Sequence, residues 1–232
     1  MSKQILILSA SPRKGGNSDV LCDAFRRGAE ESGHKVEKLR LSERNIHYCT
    51  GCGVCNNTHC CVQKDDMAQV LERMVQADVI VLATPVYFYT MDAQLKTLID
   101  RTVPRYTELS NKEFYYILTA ADTNQAMLEK TVESIRGFTL DCLDTPVERG
   151  ILYGTGVWKT GEVEHTKHLE DAYQMCSSPE MAEYVTKTLE TRKPPKLSPS
   201  QLETLTVIAY YQPATKALVE QIRGVDSAYC VS

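Results

Sequence analysis

The sequence predicts an α/β fold, a doubly wound parallel sheet of five strands followed by a helical C-terminal extension. Three observations carry this. Residues 5–8 (ILIL) and 79–82 (VIVL) are short continuous apolar runs, the signature of strands buried on both faces. Segments with apolar residues at helical spacing separate the strand-like runs, and that alternation builds a parallel sheet covered on both sides. Near residue 173 the alternation stops and only helical spacing continues.

Each element has its own reason. Strand 5–8 runs into a turn-forming stretch of serines, Pro12, Gly15 and Gly16. Asn17 or Ser18 is a good N-cap for a helix with Val20, Leu21, Ala24, Phe25 and Ala29 on one face, and Gly33 is placed to end it. Residues 36–41 alternate as a second strand. After a cysteine-rich loop, Asp65-Asp66 reads as the N-cap of helix 67–76, with Val70, Leu71, Met74 and Val75 inward. Strand 79–82 ends at Thr84-Pro85, helix 91–101 follows, and 114–119 is a fourth strand. Helix 125–138 and a fifth strand, 147–153, complete the rhythm. The expected domains are 1–172 and 173–232.

The totals narrow the function. A net charge of -4 over 232 residues gives no electrostatic reason to expect nucleic acid. No apolar run approaches the ~20 residues that span a membrane, and the start is too quickly polar for a signal peptide. A cytoplasmic location follows, where thiols stay reduced, which sets a disulfide knot aside.

Two stretches carry chemistry. "LSASPRKGGNSD" is a strand, a Ser/Gly-rich loop and a helix start, and a helix N-terminus reached through such a loop favours an anion. It is neither G-x-G-x-x-G nor a Walker loop. The plainer alternative is a polar turn with a good cap. "HYCTGCGVCNNTHCC", residues 47–61, holds five of the nine cysteines. In a reducing compartment such clusters are more often metal-binding or catalytic. The spacing is C-x2-C-x2-C-x5-C with Cys61 as the fourth member, or x4 with Cys60. His47 and His59 read as solvent-facing, Cys22 and Cys142 as buried inert thiols.

"SASPRKGGNS", the cysteine loop, "KDDM" at 64–67 and "ATPVYFYTMDAQLKTLIDR" at 83–101 together resemble the NADPH-dependent FMN reductase group of flavodoxin-like proteins, and within it the iron–sulfur flavoproteins. The resemblance covers about residues 3–172. It implies a flavodoxin-like sheet in the order 2-1-3-4-5, with FMN at the carboxyl edge of the strands. Ser9, Ser11, Arg13, Asn17 and Ser18 would hold the phosphate. Pro85, Val86, Tyr87 and Phe88 would pass along the ring, and Thr119, Ala120, Ala121 and Asp122 would complete the ring site. An aromatic run at 87–89 also suits an oligomer interface, and the group implies a homodimer or homotetramer.

The implied activity is an FMN-dependent NAD(P)H oxidoreductase reducing a small electron acceptor such as a quinone, free flavin or nitro compound, with no side-chain acid or base standing out. The alternative is an iron–sulfur flavoprotein with ferredoxin as partner. Its [4Fe–4S] cluster would sit on Cys49, Cys52, Cys55 and Cys61 (or Cys60), since three thiolates from one compact loop suit such a cluster. A metal-free loop capping the flavin and a zinc site remain open. Zinc fits less well because structural sites usually pair two separated knuckles.

The tail is similar to the second winged-helix domain of segregation and condensation protein B, from near residue 173, and stops within the third helix of that unit. Without a complete recognition helix or a basic stripe, DNA binding is not expected. A chromosome-associated binding module is carried as the alternative of another class. Leu202, Leu205 and Ile208 form an apolar stripe that needs cover.

Overall fold

The structure, a computed structural model, describes residues 2–177. Beyond Ser177 the expected helical extension lies outside the described residues. Among the described residues no helix is long and apolar enough to cross a membrane.

Six strands form the sheet: β1 (Gln4–Ser9), β2 (Lys35–Arg40), β3 (Val79–Tyr87), β4 (Thr90–Met91), β5 (Glu113–Thr119) and β6 (Val147–Gly154). Five of them run parallel in the order β2-β1-β3-β5-β6, the doubly wound order expected from the sequence. The helices are α1 (Asn17–Glu31), α2 (Cys55–Thr58), α3 (Met67–Gln76), α4 (Ala93–Asp100), α5 (Glu129–Thr139) and α6 (His168–Ser177).

Strand alternation divides the core. Leu6, Leu8, Ile80, Leu82, Phe114, Tyr116 and Leu118 face α3, α4 and α5. Ile5, Ile7, Val79, Val81, Tyr115 and Ile117 face α1 and α6. Both faces of β1, β3 and β5 are therefore buried, which is why their sequences read as unbroken apolar runs.

Three expectations need correction. Thr84-Pro85 does not end β3, which continues to Tyr87. β1 stops opposite Ala83, so its side of β3 is open where Pro85 stands, and a missing N–H costs no ladder bond there. The strand then turns back, with β4 pairing antiparallel as Val86↔Met91 and Tyr87↔Thr90. Second, the segment expected as one helix from 125 starts as a 3-10 turn, Gln125–Leu128, with Asn124 Oδ1 accepting from Ala126 N–H at 3.0 Å, before α5 begins. Third, Cys142 is exposed, not buried.

The expected boundary at 172/173 falls inside α6. Ala172 and Met175 of this helix are buried against the α1 side of the sheet. The approach is close because residue 28 is glycine: a Cβ there would lie 2.0 Å from the Tyr173 carbonyl oxygen.

Candidate functional site

The site is built where β1, β3, β5 and β6 end. β1 gives way at Ser9, and the chain turns through Ser11, whose Oγ accepts from Arg13 N–H at 3.3 Å. Gly15 has φ +64°, a conformation in which its N–H donates to Asp19 Oδ2 at 3.0 Å. The other oxygen of Asp19 accepts from Ser9 Oγ at 3.1 Å. Lys38 Nζ lies 2.8 Å and Arg40 Nε 3.4 Å from the same carboxylate. Burial alone would raise the Asp19 pKa, but the Lys38 hydrogen bond, the Gly15 N–H and the two cations outweigh it and hold it below the ordinary range.

The N-cap of α1 is Gly16, which offers no side-chain cap, and neither Asn17 nor Ser18 takes the role expected of it. Ser18 Oγ instead hydrogen-bonds Thr119 Oγ1 at 2.6 Å, and Asn17 Nδ2 donates to the Lys159 carbonyl at 3.0 Å. The first amides of α1 are thus left without a capping side chain, and an anion is the natural complement to them.

The second wall comes from β3 and its hairpin. Phe88 and Tyr89 form the turn with φ of 50° and 62°, a conformation bulky residues adopt at a cost. The hairpin is seated by Asp92, whose N–H donates to Thr84 Oγ1 at 3.0 Å and whose Oδ1 caps α4 through Leu95 N–H at 3.0 Å. Its other oxygen is buried without a partner, and burial pushes the carboxyl up to about 6.

The third wall is the end of β5, where Ala120 N–H donates to the Gly154 carbonyl at 2.9 Å. The fourth is the loop after β6. Val157 N–H donates to the Ala120 carbonyl at 2.9 Å. The Trp158 carbonyl accepts from Arg13 Nη1 at 3.0 Å, and the Arg13 guanidinium stands 5.8 Å from the indole centroid. Glu162 steadies the loop by accepting from the Trp158 and Lys159 N–H groups at 2.7 and 2.9 Å.

Between these walls is an open cleft. Ser11, Arg13, Asn17, Ser18, Pro85, Val86, Tyr87, Thr119, Ala120 and Ala121 line it, all of them singled out from the sequence. Three other candidates do not. Ser9 is buried beneath the turn on Asp19. Phe88 is fully exposed at the hairpin tip. Asp122 turns to its own loop, accepting from Asn124 N–H at 2.8 Å. Gly16, Val157 and Trp158 line the cleft and were missed. A signal for the last two existed: the only tryptophan of the chain, flanked by Gly154, Gly156 and Gly161, follows the fifth parallel strand at its carboxyl end.

The cysteine loop is organised differently. Arg101, from the end of the motif at 83–101, is buried and holds both ends of the loop. Its guanidinium donates to the His47 carbonyl at 2.6 Å and, through two nitrogens, to Asp65 at 2.7 and 3.0 Å. Asp65 also accepts from His47 N–H and Met67 N–H, at 3.0 and 3.1 Å. Asp66 occupies the N-cap position of α3 without capping it; its carboxylate accepts from Asn45 N–H at 2.7 Å. Burial opposes both charges, yet their mutual hydrogen bonds win, lowering the Asp65 pKa and raising that of Arg101, with Cys61 also against the guanidinium.

Cys49, Cys52 and Cys60 are exposed and Cys55 and Cys61 half-buried. His47 and His59 face solvent, as expected. Among the described residues no group of three or more His, Cys, Asp or Glu side chains converges to hold a metal ion. The thiols as placed therefore do not fit a cluster or zinc, whereas the α1 cleft, with its uncapped helix start and flat apolar wall, fits a flavin mononucleotide.

The model of the NADPH-dependent FMN reductase family matches residues 4–140. The chain belongs to that family. Two relatives of this chain are iron–sulfur flavoproteins. One, from Archaeoglobus fulgidus, is 46% identical over 94 residues, which is 40% of this chain and 43% of the relative. One from Methanocaldococcus jannaschii is 33% identical over 139 residues, 59% of this chain and 72% of the relative. The chain thus spans less than half of the Archaeoglobus protein. The NAD(P)H:quinone oxidoreductase from Methanothermobacter marburgensis shares the fold, with a TM-score of 0.59 at 20% identity, covering 78% of this chain and 98% of that one. Residues 164–232 match the model of segregation and condensation complex subunit ScpB, in accord with the resemblance of the tail. That match begins before α6, so the helix packed on α1 lies within it and beyond the residues matched by the reductase family.

Proposed function

We propose that the chain is an FMN-dependent oxidoreductase that takes electrons from NAD(P)H and passes them to a small acceptor, a quinone, free flavin or nitro compound. The observation that carries this reading is the meeting of the uncapped N-terminus of α1 with the exits of β3 and β5 in one cleft. Bound FMN would supply hydride acceptance and electron release. The protein's part is placement. The α1 amides with Ser11 and Ser18 face an anion, Pro85, Val86 and Tyr87 offer a flat wall, and Thr119 to Ala121 offer backbone groups to a polar ring edge. The lining contains no Asp, Glu, His or Lys.

Calorimetric titration of the purified chain with FMN, followed by an assay of NADPH and NADH oxidation with a quinone acceptor, tests this. Tight 1:1 binding and flavin-dependent turnover are expected. A colourless chain that takes up no FMN overturns the reading.

A second reading, ferredoxin-linked electron transfer through a [4Fe–4S] cluster on Cys49, Cys52, Cys55 and Cys60 or Cys61, is supported by the compact spacing and by the names of the two relatives. Because the thiols as placed do not converge, no step is derived through it. Iron and sulfide analysis after anaerobic purification decides: about four of each per chain supports the cluster, and neither element excludes it. A homodimer or homotetramer in the cytoplasm belongs to the same proposal, supported by the exposed Phe88 between half-exposed Tyr87 and Tyr89.

A further inference from the structure

We propose that the loop after β6 is a strap that selects a flavin mononucleotide over a dinucleotide, with Trp158 and Arg13 as the residues that set this choice. The inference rests on the flavin reading and adds to it which ligands the cleft refuses.

The strap crosses the phosphate loop and is pinned on both sides of Trp158, to the end of β5 upstream and to the start of α1 downstream. Upstream, Val157 N–H is held by Ala120. At the tryptophan, the Arg13 guanidinium bonds the carbonyl and lies over the ring. Downstream, Asn17 holds Lys159 through Nδ2 and accepts from Val163 N–H at 3.4 Å. Arg13 and Asn17 were expected to spend their side chains on phosphate. Here both spend hydrogen bonds on the strap, so the segment that closes the phosphate end is fixed by the same residues that surround the anion.

A terminal monophosphate can sit on the α1 amides beneath this strap. A flavin whose phosphate continues into a second phosphate and an adenosine has to leave past Arg13 and Trp158. It therefore has to break the Arg13 and Asn17 bonds to the strap and unstack the guanidinium from the indole. Each such bond is modest, and their combined loss predicts a penalty on the order of 100-fold in affinity for the dinucleotide. Trp158 is 64% exposed, so its removal opens the strap without emptying the core.

Because Trp158 is the only tryptophan, its fluorescence reports directly on the site. The experiment titrates FMN, FAD and riboflavin into the full chain and into Trp158→Ala, Trp158→Phe and Arg13→Ala. Tyrosine and flavin signals, with calorimetry, replace tryptophan emission in the Trp158 variants. The wild-type chain is expected to prefer FMN over FAD about 100-fold, with tryptophan emission quenched by FMN. Trp158→Ala and Arg13→Ala should cut that preference at least tenfold, the former mainly by improving FAD binding, while Trp158→Phe keeps most of it. Equal affinity of the wild-type chain for FMN and FAD overturns the proposal. So does a preference that survives both alanine variants while FMN still binds. Failure of the wild-type chain to bind any of the three flavins instead sinks the flavin reading itself.

Discussion

The phosphate loop and the cysteine loop each depend on a buried aspartate, but the two aspartates are used in opposite ways. Asp19 grips the middle of its loop: it takes the Gly15 N–H, and Lys38 and Arg40 neutralise it. The turn that faces the cleft is thereby fixed residue by residue. Asp65 grips only the ends of its loop, with Arg101 bonding it and the His47 carbonyl together. Between those ends the thiols stand largely exposed, on a stretch that needs positive φ at Gly51, Gly53 and His59. One region is held in place along its whole length. The other has a fixed base and an unconverged crown.

The largest expected effect comes from breaking the base. The side chains of Arg101 and Asp65 are about 1% and 0% exposed, so removing one partner leaves the other charge buried and uncompensated. Arg101→Met or Asp65→Asn should cost about 3–5 kcal/mol in urea unfolding. The double variant should recover part of that loss. If either single variant costs under about 1 kcal/mol, the staple is not what holds the loop ends.

Asp92 sharpens the comparison, because it is a buried carboxylate with no cation at all. Its folded pKa, about 6, lies above the ordinary 3.8. A raised carboxyl favours the folded state while it is protonated, so this stability is complete below about pH 4 and is lost as pH climbs through 6. Asp92→Asn keeps the acceptor for Leu95 N–H and cannot ionise. Relative to the parent, the variant should therefore gain up to about 3 kcal/mol between pH 4 and pH 7.5. Parallel stability–pH curves for the two proteins would show that the carboxyl is not held neutral.

For Asp19 the expected effect is about 2 kcal/mol, since Asp19→Asn leaves Lys38 with only the partly exposed Asp23 as a charged partner. Its more telling readout is binding. With the Gly15 turn loosened, FMN affinity should fall about tenfold even though a negative charge near the phosphate has been removed. A rise in affinity would mean that charge, and not turn geometry, governs the site.

These contrasts also explain what could be read from the sequence. The strands and helices were legible because apolar runs, helical spacing and Ser/Gly-rich turns are local patterns, while the strand order and most of the cleft residues came through the resemblance to the FMN reductase group. Long-range partners were not legible. Arg101 looks like the last residue of a helix and Asp65 like a cap; their pairing across 36 positions depends on the fold. Pro85 looked like a strand end because its neighbour strand's early stop is a property of register. Trp158 was missed because its loop reaches the cleft by crossing from the far edge of the sheet.

The smallest effect should come from the crown of the cysteine loop. Cys49 and Cys52 bury little surface, and the sulfur contacts there are weak, Cys49 Sγ lying 3.4 Å from Gly51 N and Cys60 Sγ 3.7 Å from the Cys61 carbonyl. Replacing Cys49, Cys52 and Cys60 by serine in the metal-free chain should change unfolding free energy by no more than about 0.5 kcal/mol, as for other surface substitutions. FMN affinity should stay within about twofold, because none of these residues lines the cleft. A much larger loss of stability, confined to protein purified without oxygen, would mean that the thiols converge on iron when it is supplied. Metal binding is folding free energy, and the serine variant cannot collect it. The exposed crown would then be a site that forms only with its metal, held ready by the Arg101–Asp65 base.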